Sequence, residues 1–113
     1  MARQHKRSRV LKFESRLRNR RTEKYILRLY IAGTTPRSTR AVANIRNICE
    51  RNLSGRYDLE VIDIYQKPAL AKGEQIIAAP TLVKHLPLPL RRFIGDLSDT
   101  ERILVGMDLA AAS

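Results

Sequence analysis

The chain has 113 residues, and its 22 Lys and Arg against 11 Asp and Glu give a formal charge of +11. That length suits one domain, and a hydrophobic content of 43% excludes wholesale disorder. A single Cys excludes a disulfide framework and a four-thiolate zinc centre. No apolar run approaches the roughly 20 residues that cross a bilayer, and the charged start lacks the apolar stretch of a secretory signal, so a cytoplasmic protein is expected.

The charge is unevenly placed. Residues 1–24 carry ten basic side chains opposed only by Glu14 and Glu23, a net of +8, whereas residues 25–113 carry +3. The chain therefore divides into a basic N-terminal extension, 1–24, and a domain, 25–113. Val10, Phe13 and Leu17 fall at helical spacing, so the extension reads either as a solvated, frayed terminus or as a short basic amphipathic helix. Such a helix would suit an acidic partner, an anionic membrane or RNA.

Lys24–Ala32 (KYILRLYIA) reads as a strand buried mostly on both faces. Gly33-Thr34-Thr35-Pro36 follows, with Thr35 suited to cap a helix and Pro36 to open it. Val42, Ile45, Ile48, Cys49 and Leu53 then recur at three- and four-residue steps, predicting an amphipathic helix that ends near Ser54-Gly55. Tyr57–Tyr65 is the next strand, completing a right-handed parallel βαβ unit. Pro68–Ala79 reads as a helix with Leu70, Ile76 and Ile77 inward, weakened by Gly73. Ala79-Pro80-Thr81 precedes a short apolar run, Leu82-Val83, the run Leu86-Pro87-Leu88-Pro89 cannot be the middle of a helix or a central strand, and Arg91–Gly95 reads as a strand. Ser98, with Glu101 three residues on, reads as a capping box for a last helix. Ile103–Leu109 satisfies both the 3.6 and the 2.0 period, so helix and strand stay open there. Helices throughout give the order βαβαββα, a thioredoxin-like α/β fold, with Pro80 where that fold commonly has a cis-proline. An α/β sandwich of another topology is the alternative.

A thioredoxin-like redox protein needs a low-pKa thiolate at the turn before its first helix. Here that turn has no Cys, and Cys49 falls on the apolar face of the helix as a core residue. His5 and His85 lack the spacing of metal ligands, and no phosphate-binding GxxxxGK[ST] loop is present. No catalytic residue, metal site or cofactor is indicated, which favours a binding protein.

The segments YILRLYIAGTTPRSTRA (Tyr25–Ala41), VIDIYQKPALA (Val61–Ala71), AAPTLVKHLPLPLRRFIGDLSD (Ala78–Asp99) and the ending ILVGMDL resemble the bacterial circadian clock family KaiB over essentially all of 25–113. The resemblance implies a non-enzymatic regulator that binds the ATPase ring of KaiC, a hexamer. In cyanobacteria such proteins sequester KaiA and displace a histidine kinase that shares the binding surface. It also implies two folds: a resting form of order βαββααβ, a homo-oligomer (dimer or tetramer), and a thioredoxin-like monomer that binds the partner. Arg40, Gln66, Lys67 and Pro68 fall at partner-binding positions. Pro80, Pro87, Pro89, Gly106 and Asp108 fall at positions tied to the fold switch, and replacing Gly106 by Ala is expected to favour the helical, thioredoxin-like form. Glu60, Gln66 and Gln75 stand where cyanobacterial relatives are expected to carry Lys, the acidic C-terminal tail is missing and the basic arm is extra. A divergent or non-cyanobacterial member is implied, with KaiA-type contacts in question. Two other readings stay open: a non-switching thioredoxin-like adaptor in stress signalling, and nucleic-acid or membrane binding through the arm, which ranks last because the body lacks a clustered aromatic-basic surface and aromatics are only 5%.

Overall fold

A computed structural model describes residues 23–109. The helical expectation for Val10, Phe13 and Leu17 lies outside them. The order is β1 (Tyr25–Ile31), α1 (Pro36–Asn52), β2 (Tyr57–Asp63), α2 (Pro68–Gly73), β3 (Thr81–Leu86), β4 (Arg91–Ile94) and α3 (Thr100–Gly106). This is the βαβαββα order, and βαββααβ is not the arrangement adopted in this structure. The four strands form one sheet in the order β2-β1-β3-β4, with β1 parallel to β2 and antiparallel to β3, which is antiparallel to β4.

β1 is buried on both faces because both are used. Tyr25, Leu27 and Leu29 join Leu82 and Phe93 under α1 and α3, forming the main core with Ala41, Ile45, Ile48, Cys49, Ile103 and Met107. Tyr30 points the other way and packs with Ile62, Val83 and Ala71 of α2 in a smaller cluster. The first helix begins where the sequence places it: the Thr35 hydroxyl accepts from the Ser38 N–H at 3.3 Å, and Pro36 occupies the first turn, where its missing N–H costs nothing. Gly55, at φ +74°, turns the chain into β2 in a conformation that strains residues bearing a Cβ.

Three details depart from the sequence expectations. The second helix stops at Gly73, and Gln75 at φ 57° turns the chain, so Ala71 and half-buried Ile76 face the sheet while Leu70 and Ile77 are exposed. The last helix is capped by Asp99, whose carboxylate accepts from the Arg102 N–H at 3.2 Å, and not by Ser98. Leu97, at φ 63°, redirects the chain so that the helix begins one residue later than the capping-box reading places it. The doubly periodic segment is helical through Gly106 because Ile103 and Met107 both reach the core.

The β3–β4 hairpin holds cis peptides at Leu86-Pro87 and Leu88-Pro89, and a third lies at Ala79-Pro80, the position anticipated for a thioredoxin-like chain. One long-range hydrogen bond ties the C-terminal helix to the first strand: the Tyr25 hydroxyl donates to the Met107 carbonyl at 2.8 Å.

Candidate partner-binding surface

The parallel strands β1 and β2 end side by side, and the loops after them make one pole of the molecule. Gly33 (φ +60°) donates its N–H to the Asp63 carboxylate at 3.3 Å, and the same oxygen accepts from the Tyr65 N–H at 2.9 Å. Asp63 therefore clamps the two loops together and holds the Tyr65 ring, which is 72% exposed, beside the Gly33 backbone. Pro80 reaches the same pole, where its carbonyl accepts from the Gly95 N–H at 3.0 Å.

In a redox enzyme of this fold the nucleophilic thiolate would stand at this pole. Here Gly33-Thr34-Thr35-Pro36 occupies the turn, and Cys49 is fully buried in the core. Burial, and secondarily the Glu50 carboxylate, push its thiol up to about 12. Because the thiolate is the reactive form, native Cys49 should resist iodoacetamide at about pH 8 while labelling fully in denaturant. Labelling of the folded protein at the denatured rate would contradict this burial.

Arg40 lies exposed on α1, and its Nε is 3.3 Å from Oδ2 of Asp96 in the β4–α3 loop. The Asp96 carbonyl also accepts from Asn44 Nδ2 at 2.8 Å. The Asp96 carboxyl is held below the usual carboxylate range by hydrogen bonds from the Ser98 side chain and backbone N–H, with Arg40 adding to them. An exposed pair of this kind is screened by water and salt, so it orients Arg40 more than it stabilises the fold. Gln66 and Lys67 of the β2–α2 loop and Pro68, the first residue of α2, are exposed, with the N–H groups of Gln66 and Lys67 bonded to the Asp63 carbonyl. Arg40 leans toward Asp96 on the β4 flank, whereas Gln66–Pro68 follow β2 at the other edge of the sheet, so they share a pole without forming one cluster. Pro87 and Pro89 lie at the opposite pole.

Gly106 and Asp108 occupy the end of α3. A Cβ built on Gly106 would clash with the Phe93 ring at Cε1 and, at 2.6 Å, at Cζ. Glycine is therefore a packing requirement here as well as a weak helix former. Beyond it the helix closes in a Schellman arrangement: the Leu109 N–H bonds the Leu104 carbonyl at 2.8 Å and the Asp108 N–H bonds the Val105 carbonyl at 3.1 Å. The residue that must turn left-handed is Asp108, at φ 59°, where glycine is ordinarily preferred. Its negative charge also opposes the helix dipole. A glycine in the last turn, an aspartate in the left-handed position and a length of seven residues make α3 intrinsically weak.

Sequence reasoning missed Asp63, Asp96 and Lys84. Asp96 carried a usable signal, since the Asp-Leu-Ser run lets its carboxylate accept from the Ser98 N–H at 3.1 Å. Lys84 carried none. It is fully buried in β3, in register with Leu27 and Arg91, and its Nζ has no hydrogen-bond partner.

Residues 28–109 match the family model described as the KaiB domain. A Synechococcus elongatus protein named circadian clock oscillator protein KaiB is 55% identical over 85 residues, covering 75% of this chain and 83% of that protein. A Nostoc protein of the same name is 50% identical over 91 residues, covering 80% and 84%. Among solved structures, the N-terminal domain of Synechococcus elongatus SasA superposes with a TM-score of 0.64 at 25% identity, over 80% of this chain and 88% of that one. Chloroplastic thioredoxin z gives 0.64 at 17% identity over 87% and 90%, a likeness of fold alone. A thioredoxin-like sheet without a thiol at its pole, together with this identity to named clock proteins, places the chain in the KaiB family.

Proposed function

We propose that this chain is a non-catalytic regulator that binds a KaiC-type ATPase hexamer in the thioredoxin-like state. The observation that carries the reading is the 55% identity to KaiB clock oscillator proteins over 85 residues, 75% of this chain. The fold shared with the N-terminal domain of Synechococcus elongatus SasA, a chain from the same species as a named KaiB relative, supports it. Arg40 and the Gln66–Pro68 loop are the groups assigned to contact. The resting βαββααβ oligomer would be the competing state, and KaiC would capture the thioredoxin-like fraction, so the apparent affinity falls in proportion to that fraction. The weak α3 supports this, since a marginal element lowers the free-energy difference between two arrangements. A cytoplasmic location and a histidine kinase as competing partner belong to the same proposal.

The test is a pull-down with a cognate KaiC after overnight incubation with ATP. Retention is expected, and Arg40→Glu should weaken it at least about tenfold, as reversal of an interface charge commonly does. A KaiC column that stays empty would refute the reading.

A further inference from the structure

A cleft of about 230 Å³ opens between the first turn of α1 and the loop that leads from β4 into α3. Exposed Arg37 of α1 and exposed Arg102 of α3 line it, and buried Phe93, Leu97 and Ile103 form its inner wall. Among the described residues neither guanidinium has a carboxylate within ion-pair distance. The two acids of the lining are bonded elsewhere. Asp96 accepts from the Ser98 N–H at 3.1 Å and pairs with Arg40 at 3.3 Å, and Asp99 accepts from the Arg102 N–H at 3.2 Å. Gly95 keeps the cleft open. Its φ of +120° is one that residues with a Cβ rarely adopt, and a Cβ there would stand 3.7 Å from Nη2 of Arg37. The guanidinium therefore lies beside bare backbone.

We propose that this cleft binds a phosphate group between Arg37 and Arg102, either as inorganic phosphate or as the end of a small phosphomonoester. Guanidinium groups stay charged at any physiological pH and present planar forks of N–H donors that match phosphate oxygens. Two forks offer more donors than the two oxygens of a carboxylate can accept, so phosphate fits better. The apolar inner wall excludes water from one side and strengthens the attraction. The volume is below the roughly 300–1,000 Å³ of pockets that enclose whole drug-sized ligands, so the phosphate enters without a ring or base. Bound there, it would link the first βα unit to the last helix and stabilise the arrangement that holds them together. Its bearing on partner binding rests on the proposed competition between two folds, whereas the site itself does not.

The experiment is two-dimensional amide NMR of the full-length chain, titrated with sodium phosphate, glycerol 3-phosphate, acetate and chloride at matched pH and ionic strength. Saturable shifts are expected at Arg37, Gly95, Leu97 and Arg102 with the two phosphates, and whichever of these saturates lower identifies the source. Arg37→Ala and Arg102→Ala, both at exposed side chains, should each raise the half-saturating concentration at least about tenfold, the loss expected for one charge-assisted fork. At saturation the thermal midpoint of the parent should rise and that of the double variant should not. Every variant keeps the basic residues 1–24, so a response that survives in the double variant belongs to them and overturns the proposal. Shifts that grow without saturating, as with chloride, overturn it too, and equal affinity for acetate overturns the choice of phosphate. KaiC is absent from the assay, so these outcomes are independent of the KaiC-binding proposal.

Discussion

Replacing Lys84 by methionine is expected to stabilise the thioredoxin-like state by about 1–3 kcal/mol, the range for removing a buried, unpartnered polar group. The ammonium is fully buried without a hydrogen-bond partner, and directly across the β3–β4 ladder stands another cation, Arg91. Burial lowers its pKa from the ordinary 10.5. Asp108 and Glu23 act in the opposite direction, and Arg91 adds to the lowering. The net shift is downward, so the attractions do not compensate for the lost hydration. Methionine keeps the length and the apolar stem while removing the charge.

The sign of the pH dependence follows from the same shift. With the folded pKa below the unfolded one, the unfolded chain binds more protons between the two values, and stability rises with pH across that window. The penalty is complete below the folded pKa and disappears above 10.5. The advantage of Lys84→Met should therefore shrink as the solution is made alkaline, which denaturant unfolding at a series of pH values would show. A variant less stable than the parent would mean that Lys84 has a stabilising partner.

The second large effect concerns Gly106 and Phe93. Helix propensity alone credits Gly106→Ala with up to about 1 kcal/mol. Forcing a methyl into a packed contact costs about 1–3 kcal/mol, and the Phe93 ring that must yield is 5% exposed. Gly106→Ala by itself should therefore not stabilise this conformation. In a Phe93→Leu background the clash is relieved and the propensity gain emerges, giving a coupling of about 1–2 kcal/mol in a double-mutant cycle. Additive single effects would show that the ring moves aside freely, and the gain expected from propensity would then stand alone.

The first βα unit was legible because local and global signals agree there. The apolar run of β1, the Thr35-Pro36 start and the spacing of Ile45, Ile48 and Cys49 all specify one answer. The later half was less legible for physical reasons. Gly73 and the left-handed Gln75 end α2 early, which exposes Leu70 and Ile77 although their spacing places them inward. Leu97 in a left-handed conformation moves the cap from Ser98 to Asp99. Ile103–Leu109 fits two periods, and only burial of Ile103 and Met107 against the sheet decides between them. Lys84 carries no local signal of its burial, which the structure alone shows. Arg40, Gln66, Lys67 and Pro68 were assigned by family resemblance. The structure adds that they lie on two flanks of one pole, with Asp63 clamping the loops after β1 and β2 and Asp96 orienting Arg40 on α1.

The features that weaken the C-terminal half act together. A buried ammonium in β3, a weak helix former at Gly106 and an aspartate in the left-handed end of α3 all raise the free energy of one region, whereas β1 holds one buried hydroxyl without a hydrogen-bond partner, Tyr30 Oη, but no buried charge. The proposed KaiC-binding mechanism needs that asymmetry, because a partner selects a minor arrangement only where the alternatives differ by a few kcal/mol.

The most direct measurement is native-state amide exchange followed by NMR, on the free chain and with a KaiC-type hexamer and ATP. In the free chain the amides of Thr100–Gly106 should exchange at least about 100-fold faster than those of Tyr25–Ile31, through a local opening that spares the first strand. Adding the hexamer should bring them close to the protection of β1. Equal protection of α3 and β1 in the free protein, or no slowing on addition of KaiC, would contradict the account.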